Sequence, residues 1–465
     1  MHLVSLLIVL GSLVFLMIVA YRGYSVILFA PVAALGAVLL TDPTLVAPMF
    51  SGVFMEKMVG FLKNYFPVFM LGAVFGKVIE LSGFSKSIVS AIIGLLGRKR
   101  AILSIVLVCA VLTYGGVSLF VVVFAVYPFA AEMFRQSEIP KRLIPCTIAL
   151  GAFTFTMDAL PGTPQIQNII PTTFFNTTTW AAPWMGLIGS VFVLACGLIF
   201  IENQSRRAKA AGEGYGSDLK NEPETFDEEK LPNPWIAVSP LAVVGVTNYV
   251  LTVFIPRLYG PTHQITLAGA KPIVTQINSV ASIWAVEAAL LLGIVTVFLF
   301  AWRPVSAKFA DGSKAAIAGS LLASLNTASE YGFGGVIAIL PGFLLVSDAL
   351  KAIPNPLINE AISVTVLAGI TGSASGGMSI ALAAMADNFV AAAHTANIPL
   401  EVLHRIASMA SGGMDTLPHN GAVITLLAVT GLTHKDSYKD IFIITLIKTA
   451  AVLFVIAVFY ITGIY

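Results

Sequence analysis

Two octets hold the residues with the clearest chemical use, MDALPGTP at 157–164 and MDTLPHNG at 414–421. Each sets an aspartate and a proline at the end of a long apolar run. The carboxylates of Asp158 and Asp415 could carry a proton, coordinate sodium or cap a helix, and Asp before Leu-Pro is itself a helix-start pattern. His419 stands where the first octet has Gly162, and an imidazole titrates near neutral pH. It is therefore a candidate proton carrier or carboxylate donor. Thr163, Gln165, Gln167, Asn168 and Asn420 supply neutral hydrogen-bonding groups of the kind a hydroxy acid needs. Two further acids, Glu287 and Glu330, lie within apolar sequence, and Glu330 in LNTASEYGFGG has the more polar neighbourhood. Lys448, in the last apolar run, reads as a side chain that snorkels or pairs. Lys77 with Glu80 reads as a surface pair. No GxSxG, HExxH or Walker loop occurs, so no enzyme chemistry competes for the assignment.

The surroundings explain why these residues stand out. Of 465 residues, 57% are hydrophobic and 11% charged, against about 25% charged in a soluble protein. Repeated apolar stretches are each long enough to cross a hydrocarbon core of about 30 Å. Runs such as 183–202 do not alternate, which excludes a transmembrane β-barrel. The composition describes an all-α polytopic membrane protein. The first apolar run, 3–20, lacks the basic start and small-residue cleavage site of a signal peptide and reads as a retained helix. The net charge of +2 is scattered and points to no nucleic-acid partner. Cys109, Cys146 and Cys196 match no metal-ligand spacing and read as buried apolar residues.

The chain divides almost in half at 203–232, a charged, glycine-bearing segment with no apolar period that reads as a cytoplasmic linker. The halves, 1–202 and 233–465, share landmarks in the same order. TYGGVS (113–118) matches SASGGMS (373–379), Ile139-Pro140 matches Ile398-Pro399, and Met157-Asp158 matches Met414-Asp415. That ordered set indicates an internal duplication. Segments 101–136 and 359–396 are each read as a re-entrant hairpin, because Gly permits a tight turn and Ser answers backbone groups that lipid cannot. Behind each lies a Pro-broken helix, 142–176 and 401–431, since an interior proline costs about 3 kcal/mol of helix. Basic residues mark cytoplasmic flanks: Arg98, Lys99, Arg100, Arg135, Lys141 and Arg142 border the first hairpin, and Arg206, Arg207 and Lys209 lie in the linker. The second hairpin has little beyond Lys351 and Arg405. On this count the repeats are inverted and both termini external. Two tips and two breaks then imply one hydrated cavity near the midplane.

Two inverted halves, each with a Gly/Ser hairpin and a Pro-broken helix, resemble the ion transporter superfamily. The segment order and the Ile-Pro starts IPKRLIP and IPLEVLHRI resemble the GntP family of gluconate permeases more closely. The resemblance implies an elevator-type homodimer in the bacterial inner membrane that imports a small hydroxy-carboxylate such as gluconate, another sugar acid or 3-hydroxybutyrate. Coupling would be to protons or, alternatively, to sodium, with no other cofactor. A cation/proton antiporter of the same superfamily is the other transporter reading. Carried onto this sequence, the tips Gly115, Gly116, Ser118, Ser375, Gly376, Gly377 and Ser379 would touch substrate. The breaks at Thr163, Gln165, His419 and Asn420 would complete the site, and Asp158, Asp415, His419 and Glu330 would serve ion coupling. The first break reads PGTPQ rather than the His-Pro-Gly-Pro-like form of gluconate members, which weighs against gluconate itself.

Overall fold

The computed structural model describes residues 2–22, 24–97, 100–117, 119–217, 220–223, 231–266, 272–343, 345, 353–418 and 420–465. Helices dominate them, because a chain in lipid must answer its own backbone groups. Six of these helices are long and apolar enough to cross a membrane. Their outer faces carry large apolar side chains such as Val191, Val246, Leu299, Trp302 and Ile461, as a lipid-facing surface requires.

Helices α1 (His2–Tyr21) and α2 (Val26–Thr41) pair at the start of the chain, and α3 (Val46–Met49) leads through a π-helical turn (Phe50–Phe54) into α4 (Met55–Leu81). Next comes α5 (Phe84–Leu96), a short helix that hydropathy alone passes over; it buries Phe84, Ile88 and Val89 on one side. Lys77 and Glu80 form the expected surface pair at 2.8 Å. In the second half, α12 (Pro234–Tyr259) joins α13 (Ile277–Ala338) through a two-stranded antiparallel hairpin. Its strands, β1 (Thr262–Ile265) and β2 (Ile273–Gln276), pair Thr262 with Gln276 and Ile265 with Ile273, so the chain is not purely helical. Helix α13 runs on through the polar stretch 303–314, with a break at Ala301 (φ −132°, ψ 38°). Pro304 supplies the cause: lacking an N–H, it cannot bond the carbonyl four residues earlier. Both arms of α13 lie along α4, the first at Phe75 beside Gly293 and the second at Lys57 beside Gly335.

The first hairpin comprises α6 (Ala101–Tyr114) and α7 (Leu119–Gln136), with Gly115 and Gly116 in the turn and Gly116 at φ +95°. Fourteen residues make α6 about 21 Å long, short of a full crossing. The second hairpin comprises α14 (Pro356–Thr371) and α15 (Ala374–Thr395). Here the expected tip is displaced. The turn lies at Gly372 (φ +67°) and Ser373, whose hydroxyl caps α15 by accepting from the Gly376 N–H at 3.0 Å. Gly376 and Gly377 are already helical. A Cβ on Gly377 would sit 2.2 Å from the Ala368 Cα, so this glycine serves the close approach of the two arms rather than the turn.

The interrupted helices follow. One runs through α8 (Ile144–Ala152), α9 (Phe155–Asp158) and α10 (Ile166–Phe175), and the other through α16 (Leu400–Ser411) and α17 (Gly421–Thr430). Helices α11 (Pro183–Ala210) and α18 (His434–Thr462) close the two halves.

The polar segment after α11 is no free linker in its described part. It folds back as a strap over the ends of α7, α8, α17 and α18. Arg142 holds Glu213 through two hydrogen bonds (2.8 and 3.1 Å) and Asp440 through a third at 2.8 Å. Buried Lys141 donates to the Lys220 carbonyl and pairs with Glu222, each at 2.6 Å. Tyr127 donates to the Asn221 carbonyl at 2.7 Å, and the Asn221 amide donates to the Ala428 carbonyl at 2.9 Å. Polar composition hides this, because the partners are spread over four distant elements.

A small pH effect follows from the strap. The hydrogen bond from Arg142 holds the Glu213 carboxyl below its ordinary value of 4.5. Its contribution is therefore complete above that value and lost as pH falls through the lowered one. Glu213 is largely solvent-exposed, so the effect stays below about 1 kcal/mol. Thermal unfolding in detergent between pH 6 and 3 should show a shallower acid decline for Glu213→Gln than for the wild type; parallel curves would contradict the assignment.

Candidate functional site

Each break must answer the backbone groups that its prolines release, and side chains do so. In the first break, the Thr163 hydroxyl donates to the Thr156 carbonyl at 2.8 Å, and the Asn168 amide donates to the carbonyls of Thr163 (3.0 Å) and Thr179 (2.9 Å). In the second, Thr365 donates to Ala410 (3.1 Å), Thr449 to Gly413 (3.0 Å) and Tyr438 to Thr416 (3.2 Å), each at a carbonyl. The breaks expected to line one hydrated cavity are packed by protein in this structure. Thr163, expected to face substrate, is wholly buried in that packing.

Neither aspartate caps a helix. Asp158 ends α9, and Asp415 lies in the second break, three residues after Gly412. Both instead face Lys448 of α18, which is 3% exposed and does not snorkel. Its Nζ donates to Asp415 Oδ1 at 2.8 Å and to the Phe153 carbonyl at 2.7 Å, and stands 3.7 Å from Asp158 Oδ2. The matched acids of the two halves thus share one cation, held tightly by Asp415 and loosely by Asp158. A Cβ on Gly412 would fall 2.0 Å from Asp158 Oδ2 and 2.7 Å from Lys448 Nζ, so only glycine lets the second break approach the pair.

In the second half the capping role falls to Asn420, whereas Gln165, at the matching place in the first, makes no side-chain cap. Gln165 is the residue before α10, and its amide donates to the Thr113 carbonyl at the first tip (2.7 Å). Asn420 is the residue before α17; its Oδ1 accepts from the N–H groups of Ala422 (2.6 Å) and Val423 (3.2 Å). Its amide nitrogen donates to the Gly372 carbonyl at the second tip (2.7 Å). The two halves therefore repeat one device, a side-chain amide that ties the start of the second half-helix to its own hairpin tip. Gln165 and Asn420 each tie a tip to its own break, and none of the described hydrogen bonds joins tip to tip.

The other expected residues distribute as follows. A Cβ on Gly115 would strike Leu241 of α12, and one on Gly116 would approach Leu290 of α13 and Pro164. Ser375 lies beside Thr327 of α13, hydroxyl to hydroxyl at 3.2 Å, and Gly376 faces Glu330. Ser379 is buried with its hydroxyl unpartnered among the described residues. Ser118 and His419 lie outside the described residues.

Arg405, which flank counting misreads, and His404 complete the arrangement. Arg405 is fully buried on α16, so it marks no membrane boundary. Its Nε and Nη2 donate to the Ala181 carbonyl (3.2 and 2.7 Å), and its Nη1 donates to the Asp158 carbonyl (3.2 Å) and Asn168 Oδ1 (3.0 Å). Ser408 donates to the same Asp158 carbonyl at 2.7 Å. His404 meets Thr177 Oγ1 at 2.7 Å and Asn168 Oδ1 at 3.2 Å. A signal was available in HRIASMAS: His404, Ser408 and Ser411 recur at helical spacing, a polar stripe that belongs against protein rather than lipid.

The comparisons accord with this architecture. No family model matches the chain. It is 58% identical to the uncharacterized transporter YxjC of Bacillus subtilis over 469 residues, covering 99% of each protein. Among solved structures, the YdaH transporter of Alcanivorax borkumensis aligns with a TM-score of 0.56 at 15% identity, over 91% of this chain and 90% of that one. MtrF of Neisseria gonorrhoeae aligns at 0.50 and 15% identity, over 90% and 84%. At such identity these two speak for the fold alone. With its broken helices, lipid-facing surface and a full-length relative, the chain belongs to the transporter family that includes YxjC of Bacillus subtilis.

Proposed function

We propose that this transporter is a secondary active carrier that imports a small hydroxy-carboxylate together with protons. The observation that carries the reading is the repeated tether of tip to break. Gln165 brings the N-terminus of α10 to the first tip, where α7 begins, and Asn420 brings that of α17 to the second, where α15 begins. Helix N-termini favour anions, and two such pairs suit a carboxylate with hydroxyls along its chain. The charged centre points to a co-transported cation. Lys448 already balances one aspartate and sits beside the other, so a second anion needs a counter-charge of its own. Asp158, Asp415 and Glu330 are the carboxyls through which coupling would act. Gly115, Gly116, Ser375, Gly376, Gly377 and Ser379, with Ser118 and His419, form the proposed substrate set.

The matched landmarks support inverted repeats, and the sharing of Arg135, Lys141 and Arg142 by the strap supports a cytoplasmic position for that end. On this reading the protein is an elevator-type homodimer of the bacterial inner membrane, akin to GntP permeases. The test is uptake into proteoliposomes of a panel including gluconate, other sugar acids and 3-hydroxybutyrate, under imposed proton or sodium gradients. Accumulation of one acid driven by an inward proton gradient, indifferent to sodium, is expected. Uptake of none would overturn the substrate class, and dependence on sodium alone would overturn the coupling. Extrusion, the direction named in the description of MtrF as one of a class of antimetabolite efflux pumps, would overturn import.

A further inference from the structure

Glu330 differs from the other acids of the centre. It lies on the second arm of α13, 3% exposed, and its Oε2 has no hydrogen-bond partner among the described residues. Opposite it is the first turn of α15. A Cβ built on Gly376 would fall 1.6 Å from Oε2 and 2.9 Å from Oε1, so the carboxyl occupies the space that only glycine leaves. One turn earlier on α13, Thr327 meets Ser375 of α15, so hydroxyls border the carboxyl on the hairpin side. No described cation pairs with it. The groups around it are few: α10 and α2 carry no titratable side chain, and α15 carries none before Asp387. From α4 come Lys57, whose stem lies against Gly335, and Tyr65, whose ring meets that of Phe61 at a tilt; Tyr331 is the neighbour on α13 itself.

We infer that Glu330 carries the coupling proton, covered by the second hairpin in this arrangement and opened for exchange when α15 parts from α13. Asp158 and Asp415 are less suited, since their shared Lys448 already supplies a positive charge. A buried carboxyl with no basic partner needs a proton or cation as its counter-charge, and the close fit against Gly376 favours the smaller. The step is balanced: one proton binds the carboxylate from one side and the same proton leaves to the other. The inference rests on the proton-coupled reading above and deepens it.

Two measurements separate its failure from that of the parent reading. The first needs no substrate: the full-length protein in detergent is treated with dicyclohexylcarbodiimide, which modifies protonated carboxyls in apolar surroundings, and the modified residue is located by mass spectrometry. Modification at Glu330, declining as pH rises, is expected. Modification instead at Glu360, which is also buried with both carboxyl oxygens unpartnered among the described residues, or at Asp158 or Asp415, would overturn the assignment, as would no modification at all. The second uses whichever acid the wild type accumulates. For one proton per substrate, a pH gradient of one unit supports about tenfold accumulation. Glu330→Gln should lose that accumulation while retaining exchange of labelled for unlabelled acid. Wild-type accumulation by Glu330→Gln would overturn the inference. If the wild type takes up no acid, the parent reading fails and the labelling result still decides Glu330.

Discussion

Lys448→Met is expected to destabilise the protein by about 3–5 kcal/mol, the cost of removing one partner from a buried charge group. Two carboxylates would lose their common cation, and the Phe153 carbonyl would lose its donor. The partners are unequally bound, which gives the prediction internal structure. Asp415→Asn removes the charge from a hydrogen bond of 2.8 Å, whereas Asp158 stands 3.7 Å away, beyond hydrogen-bonding reach. Asp415→Asn should therefore cost more than Asp158→Asn. The triple variant Lys448→Met, Asp158→Asn, Asp415→Asn should recover much of the loss, because a neutral buried group escapes the desolvation penalty. Thermal unfolding in detergent measures all four. Wild-type stability in Lys448→Met, or a triple variant no better than the single one, would show that the charges do not act as a unit.

How much of this could be read beforehand depended on whether a feature is local. Proline and aspartate inside an apolar run reveal a break from sequence alone, because lipid tolerates neither without protein around it. Both MDxLP octets accordingly mark interruptions between described helices. Glycine is less informative, since it serves either a turn or a close approach. TYGGVS holds its turn at Gly115–Gly116, while SASGGMS spends its glycine pair on packing against Ala368 and Glu330. Lone basic residues misled in a different way. Lys448 and Arg405 resemble snorkelling or boundary charges until their polar neighbours are laid on a helical wheel, where Ser437, Asp440, Thr445 and Lys448 fall on the buried side of α18. The strap was hidden because Glu213, Asn221 and Glu222 find partners on other elements, a pairing that sequence spacing does not encode.

Arg405 carries the second large effect, and here the geometry of the donor matters more than its charge. No described carboxylate pairs with its guanidinium; the fork is answered by the Ala181 and Asp158 carbonyls and the Asn168 side chain. Hydrogen bonds from a charged group are worth about 1.5–3 kcal/mol each, so Arg405→Met should cost about 3 kcal/mol or more. Arg405→Lys should recover little, because an ammonium cannot span three acceptors set for a planar fork. The Asp158 carbonyl provides the sharper test, since Arg405 and Ser408 both donate to it. Losing either donor leaves it one partner, whereas losing both leaves a buried carbonyl bare at the joint between the two interrupted helices. A double-mutant cycle of Arg405→Met with Ser408→Ala should therefore show a combined loss greater than the sum of the single losses, by about 1 kcal/mol or more. Simple additivity would mean that this carbonyl is not a shared constraint, and that α16 is held against the first break by its other contacts alone.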